Sequence, residues 1–184
     1  PTADHATHVS GTIGGAGVAN PVNKGMAPGV TLLSYGLEYD DPNSSVVLYN
    51  NPGDLEADYL DAVANHGAQI ANNSISSNIE ENRLDCTIQG NYGVTSQLID
   101  TLVRDTAGAP FRVVFAGGNE RGSDFCDYEG FGDYYSVAPP AGAKNHITVG
   151  AIVPFTDEMT TFSSWGPTDD GRMKPDVCAP GVNV

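Results

Sequence analysis

The stretch RVVFAGGN at residues 112–119 joins a short apolar run to two glycines and a polar residue. A run of this length, bounded by glycines, is typical of a buried strand that ends where the chain must turn. Further runs of this kind lie at residues 30–35, 68–74 and 146–151. We interpret all four as strands of one sheet.

Helical patterns separate these strands. Asp54 begins one helix, and residues 95–106 form another. The apolar side of the first consists of Leu55, Leu60, Val63 and Ala64, and that of the second of Leu98, Ile99, Leu102 and Val103. Strands that alternate with helices predict an α/β fold, a mostly parallel sheet with helices on both faces.

Polar residues follow two of the predicted strands. The NNS of residues 72–74 and the GGN of residues 117–119 each come at a strand's carboxyl end. Sites of parallel α/β sheets gather beyond that edge, so we expect these two segments to lie close together.

Composition excludes several classes of partner. The 184 residues suffice for one domain with a sizeable core, and 40% are hydrophobic. With 8 basic and 23 acidic residues, the formal charge of −15 argues against nucleic acid and anionic membranes as partners. No run of about 18 apolar residues occurs, so no membrane-spanning segment is predicted.

The segment DHATHVSGT at residues 4–12 places a histidine at a predicted helix start, with Asp4 as the expected cap. Histidine titrates near neutral pH and can serve as the base for a hydroxyl nucleophile. Taken alone, such a histidine would more simply be a surface or capping residue. We expect His8, on nearly the same helix face, to be a packed structural residue.

Two later segments, FSSWGP at residues 162–167 and GRMKPDVCAPG at residues 171–181, extend the pattern. Together with residues 4–12 they resemble the subtilisin-like serine proteases, the subtilases of peptidase family S8. Ala6 stands where that family usually has Gly. Because the family runs in chain order Asp, His, Ser, the resemblance implies an internal fragment of a catalytic domain. Residues 1–184 would be the central part of a single subtilisin-like domain, incomplete at both ends.

The resemblance also implies roles for individual residues. His5 would be the general base, and Asn119 would help to form the oxyanion hole. The stretch before Asn119 looks like the family's Ala-Ala-Gly-Asn, with Gly117 replacing an alanine. Two walls of the pocket for the substrate's P1 residue would be formed by Ser74, Ile75 and Ser76 and by Ala116, Gly117 and Gly118. The paired serines at 163–164 would be structural rather than nucleophilic.

The function implied is that of a secreted serine endopeptidase that acts by Ser-His-Asp acyl transfer on a protein or peptide. The Asp would lie upstream of Pro1 and the Ser in a Gly-Thr-Ser segment after Val184, so the 184 residues alone are expected to be inactive. The possible partners include the missing remainder of the domain. A non-catalytic fragment or pseudoprotease, acting as a peptide-binding or structural module, stays open. A weaker alternative is an unrelated α/β binding domain.

Three cysteines leave one thiol unpaired if a disulfide forms. Cys86 and Cys126 lie in two long polar segments, residues 77–93 and 120–140. Their pairing is a hypothesis that rests on those contexts and on the secretion that the resemblance implies. Cys178 lies in an apolar run and is predicted to be a buried free thiol.

The proposed chemistry requires no cofactor, whereas subtilases often hold calcium as a structural ion. No Asp-x-Asp-x-Asp-Gly run marks a calcium loop in this sequence. The densest acidic cluster consists of Asp124, Asp127, Glu129 and Asp133, which we interpret as solvated carboxylates. No His and Cys spacing indicates a zinc site.

Overall fold

The structure, a computed structural model, describes residues 2–36, 52–106, 110–123, 125–126 and 130–182. It divides into two units, one within residues 1–36 and the other within residues 37–183, which are described separately. None of the described helices has the length and apolar composition that a membrane-spanning segment requires.

The first unit is built around helix α1, Thr2–Gly14. The helix begins before Asp4, so Asp4 lies in its first turn and not at the predicted cap. Its last carbonyls accept hydrogen bonds from a returning segment, since Met26 N donates to Thr12 O at 3.0 Å. A Cβ on Gly25 would lie 2.5 Å from the Gly15 nitrogen, so this return needs a glycine. His8 is exposed, which contradicts its predicted packing.

The second unit contains a sheet of four parallel strands in the order β1-β2-β3-β4. The strands are β1, Ile70–Asn73; β2, Arg112–Ala116; β3, Ile147–Ile152; and β4, Val177–Pro180. The helices are α2, Pro52–His66; a short α3, Ile79–Asn82; and α4, Val94–Thr101, which continues as a π-helical turn over Leu102–Thr106. The predicted α/β class with a mostly parallel sheet is confirmed.

The core lies between β2 and the helices α2 and α4. Val113 and Phe115 project from the same side of β2, because alternate strand residues share a face. They form one buried cluster with residues of both helices, of the turn after α4 and of the segments before β2 and β3: Tyr59, Val63, Ile99, Leu102, Phe111 and Ala143. Both helices therefore cover the same face of the sheet, and their apolar sides are largely those that the sequence indicates. Ala64 is exposed instead.

Two further predictions are wrong. Residues 30–35 belong to no strand of the described structure, and the Val30 amide closes a turn by donating to Ala27 O at 3.0 Å. Cys178 is a free but exposed thiol, not a buried one. It lies on β4, which is the last strand of the sheet and has a strand neighbour on one side only. Its sulfur lies 3.5 Å from the sulfur of Met159.

A disulfide joins Cys86 and Cys126 across 40 residues of sequence. Cys86 begins a 3-10 turn whose first amide groups are capped by Asp85, because the Asp85 carboxylate accepts from Thr87 N at 3.0 Å. The disulfide thus links the two long polar segments at residues 77–93 and 120–140. Closing a loop of this length restricts the unfolded chain and stabilises the fold.

Replacing both cysteines, Cys86→Ser with Cys126→Ser, is expected to lower the free energy of unfolding by about 2–4 kcal/mol. Urea unfolding under non-reducing conditions measures this change. The matched control is Cys178→Ser, which removes an exposed thiol and is expected to stay within about 0.5 kcal/mol of the parent. Equal unfolding midpoints for the double variant and the control would contradict the stabilising role of the disulfide.

His146 is a buried histidine beside the core. Its ring meets the Phe115 ring edge-on with centroids 5.6 Å apart, and its Nε2 lies 3.1 Å from the Thr148 hydroxyl oxygen. Burial, followed by the positive charge of Lys174, lowers the pKa of His146 to about 4. Neutral His146 is therefore the form that the folded state favours.

This shift predicts a pH dependence of stability. Because the folded pKa lies below the unfolded value of about 6.5, the contribution of His146 is complete above pH 6.5 and is lost as the pH falls toward 4. The full loss corresponds to about 3 kcal/mol at 1.36 kcal/mol per pKa unit. Urea unfolding of the parent and of His146→Gln between pH 7.5 and 4 measures this contribution. It appears as a difference between the two proteins in the slope of the unfolding free energy against pH. Parallel curves would show that His146 does not titrate in this window.

Candidate functional site

An open cavity of about 220 Å³ lies at the carboxyl ends of the four strands. Every strand contributes to its wall, as the topology of a parallel sheet requires. The residues around it include Asn72, Ser74, Ala116, Gly117, Gly118, Asn119, Gly150, Ala151, Ala179 and Gly181. The segments at 72–74 and 117–119 therefore meet at one edge of the sheet, as predicted from the sequence.

The end of β1 is held by its two asparagines. Asn73 accepts a hydrogen bond from the Tyr59 hydroxyl at 2.7 Å and donates its amide to Val114 O at 3.1 Å. Asn72 donates to the Ser74 hydroxyl oxygen at 3.0 Å. The strand's alternation thus directs one asparagine toward helix α2 and the other toward the cavity.

The end of β2 continues the sheet by one residue before it turns. Gly117 N donates to Val149 O at 2.9 Å, and Gly118 then adopts a φ of 107°. Both glycines are buried, whereas the next residue, Asn119, is exposed. The Asn119 side chain therefore lines the cavity, while the two residues before it are buried.

Glu120 links the turn after β2 to the start of α3. Its buried carboxylate accepts hydrogen bonds from Ile79 N at 3.0 Å and Glu80 N at 3.3 Å, at the start of α3. Burial raises the pKa of this carboxyl, while the two amide bonds oppose that shift. The pattern of the sequence gave no sign of this contact, because it joins residues about 40 positions apart.

The remaining predicted wall residues have different surroundings. The side chain of Ile75 is partly buried and packs against the hydrophobic core. The Ser76 hydroxyl donates to Asn78 Oδ1 at 2.6 Å. Ser74, Ala116, Gly117 and Gly118 all line the cavity. Their role in binding a substrate stays a prediction.

His5 is exposed on α1 in the first unit, whereas Asn119 belongs to the second unit. Their participation in one site stays a prediction.

Among the described residues no group of three or more His, Cys, Asp or Glu side chains is arranged to hold a metal ion. Of the acidic cluster, Asp133 lies 3.6 Å from the Arg121 guanidinium, and Asp124, Asp127 and Glu129 lie outside the described residues. A structural calcium ion also stays a prediction.

The two glycines before Asn119 provide a matched test of this geometry. A Cβ on Gly118 would lie 2.9 Å from the Ser164 hydroxyl oxygen, on a backbone whose positive φ disfavours side chains. Gly118→Ala is expected to cost about 1–3 kcal/mol of unfolding free energy. Gly117→Ala is the control, since its new methyl would meet nothing closer than Val149 O at 3.4 Å. Equal urea midpoints for the two variants would refute the described turn.

Comparison with known proteins identifies the family to which the sequence belongs. The chain is 30% identical over 182 residues to Subtilisin-like protease 2 of Pseudogymnoascus destructans. This match covers 98% of this chain and 34% of that protein. It is 41% identical over 58 residues to Serine protease AprX of Bacillus subtilis, 28% of this chain and 13% of that protein. The chain thus spans about a third of the length of the fungal relative and less of the bacterial one.

A solved structure, that of the prenylagaramide maturation protease PagA, superposes with a TM-score of 0.47 at 21% identity, over 73% of this chain and 38% of that one. Sphericase superposes with a TM-score of 0.46 at 19% identity, over 71% of this chain and 39% of that one. The sequence model of the Subtilase family, peptidase S8, matches residues 1–184. The chain belongs to the subtilase family.

Proposed function

We propose that this chain is the part of a serine endopeptidase that supplies its general base, His5, and its oxyanion donor, Asn119. The observation that carries the proposal is the exposed Asn119 beside a cavity at the carboxyl edge of a parallel sheet, in a chain matched throughout by the subtilase family. The catalytic Asp and Ser would come from segments outside these 184 residues. The chain's span of 34% of its fungal relative supports such an arrangement.

The proposed reaction is acyl transfer to a serine hydroxyl. His5 would take the hydroxyl proton as the oxygen attacks the peptide carbonyl, and would later give that proton to the leaving amine. The carbonyl oxygen becomes negatively charged in the tetrahedral intermediate, and the Asn119 side-chain amide would donate a hydrogen bond to it. No cofactor takes part in these steps, because every proton and electron pair moves between side chains and substrate.

An extended peptide fits the proposed binding edge. Backbone groups near residues 74–76 would pair with the substrate main chain, while side-chain pockets would set its specificity. Ser74 and Gly118 both line the cavity, where small side chains would leave room for a substrate residue. The Cys86–Cys126 disulfide further supports a secreted enzyme, since such bonds persist in oxidising compartments.

The test uses the complete polypeptide that contains this chain. A fluorophosphonate probe, which labels an activated serine, should add one label to a protein whose intact mass is well above 19.2 kDa. The isolated 184-residue chain should take up no label and hydrolyse no peptide. A natural protein near 19.2 kDa that takes no label but binds peptides would instead establish a non-catalytic binding module.

Two substitutions in the complete polypeptide test the assigned residues. His5→Ala is expected to lower kcat by about 10⁴-fold or more while the fold survives. Asn119→Ala is expected to lower kcat by about 10²–10³-fold, the range for removal of an oxyanion-hole donor in subtilisin itself. His8→Ala, three residues from His5 and also exposed, is the matched control and should keep the parent rate. Unchanged turnover in His5→Ala or in Asn119→Ala would refute that residue's role.

A further inference from the structure

We propose that Ser164 is a positioning residue that fixes the oxyanion donor Asn119 by holding the backbone on both sides of it. The inference rests on the proposed function, because it assigns a role relative to Asn119. Ser164 belongs to the FSSWGP segment, for which the family resemblance implies a structural role.

Two hydrogen bonds carry the inference. Ser164 N donates to Gly118 O at 3.0 Å, and Glu120 N donates to the Ser164 hydroxyl oxygen at 3.0 Å. These bonds engage the residues immediately before and after Asn119. A single residue, 45 positions further along the chain, thereby brackets the donor from both sides.

Ser164 is itself firmly held. It is fully buried, and the residues beside it are tied to two other parts of the fold. The Ser163 hydroxyl accepts from Ala151 N at 2.9 Å, which fastens the segment to β3. Trp165 N donates to the Ser136 hydroxyl oxygen at 2.9 Å, which fastens it to the loop before residue 140. Ser164 can therefore transmit the position of the sheet to the turn at 118–120.

Of the two hydrogen bonds, a substitution can remove only the one that the serine hydroxyl accepts. The bond from Ser164 N to Gly118 O uses the main chain and survives replacement of the side chain. Loss of the hydroxyl leaves the buried Glu120 amide without its acceptor, so the turn must shift to reach another acceptor or water. A displacement of about 1 Å at a reacting group can cost about a hundredfold in rate.

The first experiment is Ser164→Ala in the complete enzyme. We expect kcat to fall by about tenfold to a hundredfold, while KM changes by less than about twofold because the cavity walls remain. Thr168→Ala is the matched control: it also removes a buried hydroxyl that accepts a backbone N–H bond, from Arg172 at 3.1 Å, but it belongs to the turn at 168–172 and takes no part in holding Ser164 or residues 118–120. The control should lose stability and keep kcat. Loss of kcat in both variants to the same degree, or in neither, would overturn the inference.

A double-mutant cycle tests whether Ser164 acts through Asn119. In the Asn119→Ala background, Ser164→Ala should cause no more than about a twofold further loss of kcat, because the group that it positions is gone. A further loss equal to that in the parent would show that Ser164 acts by another route. If Asn119→Ala alone leaves kcat unchanged, the proposed function fails; if only Ser164→Ala is without effect, the inference alone fails.

A second variant covers the case in which Ser164→Ala does not fold. Ser164→Cys keeps nearly the volume of serine and replaces the hydroxyl oxygen with a weak acceptor. A folded Ser164→Cys enzyme, verified by circular dichroism, should also show a lower kcat with nearly unchanged KM. A parent-like kcat in this variant would overturn the inference.

Discussion

The pairing of β2 with both of its neighbours is the constraint on which the rest of the second unit depends. On one face, Val113 and Phe115 fill the core beneath α2 and α4, so the strand cannot slip by one residue without turning these side chains away from the core. At its end, the bond from Gly117 N to Val149 O extends the pairing beyond the last strand residue. The sheet therefore sets the position of Asn119, which lies only two residues beyond Gly117.

Polar contacts hold the irregular segments, which lack the regular backbone hydrogen bonds of helices and strands. The Asp100 carboxylate on α4 accepts from Lys144 N and Asn145 N, and it also accepts from the Tyr92 hydroxyl at 2.7 Å. The buried Lys174 ammonium lies 2.6 Å from Asp176, whose carboxylate also accepts from Thr148 N. Leaving buried polar groups unpaired costs free energy, so these contacts favour the arrangement of the loops in which all of them form. They stabilise segments that lie outside the strands of the sheet.

Local pattern predicted some of these features and not others, for physical reasons. β2 coincides with the run at 112–116, because Val113 and Phe115 alternate toward one core and glycines follow. The run at 30–35 is as apolar, but a strand also requires a neighbour to pair with, which composition does not specify. Burial of Cys178 likewise depends on what covers an outer strand. The contacts of Glu120 and Ser164 lie beyond any local pattern, because each joins residues at least 40 positions apart.

A donor for an oxyanion must satisfy two requirements that oppose each other. It has to be exposed, since it must reach a substrate, and it has to be rigid, since stabilisation of the developing charge depends on a preset geometry. Exposed side chains on loops are usually mobile. Here the side chain of Asn119 is exposed, but Gly118 and Glu120 on either side are buried and bonded to a buried serine. Rigidity thus resides in the main chain and exposure in one side chain. The FSSWGP segment, distant in sequence from both His5 and Asn119, is for that reason as much a part of the proposed site as the residues that would touch a substrate.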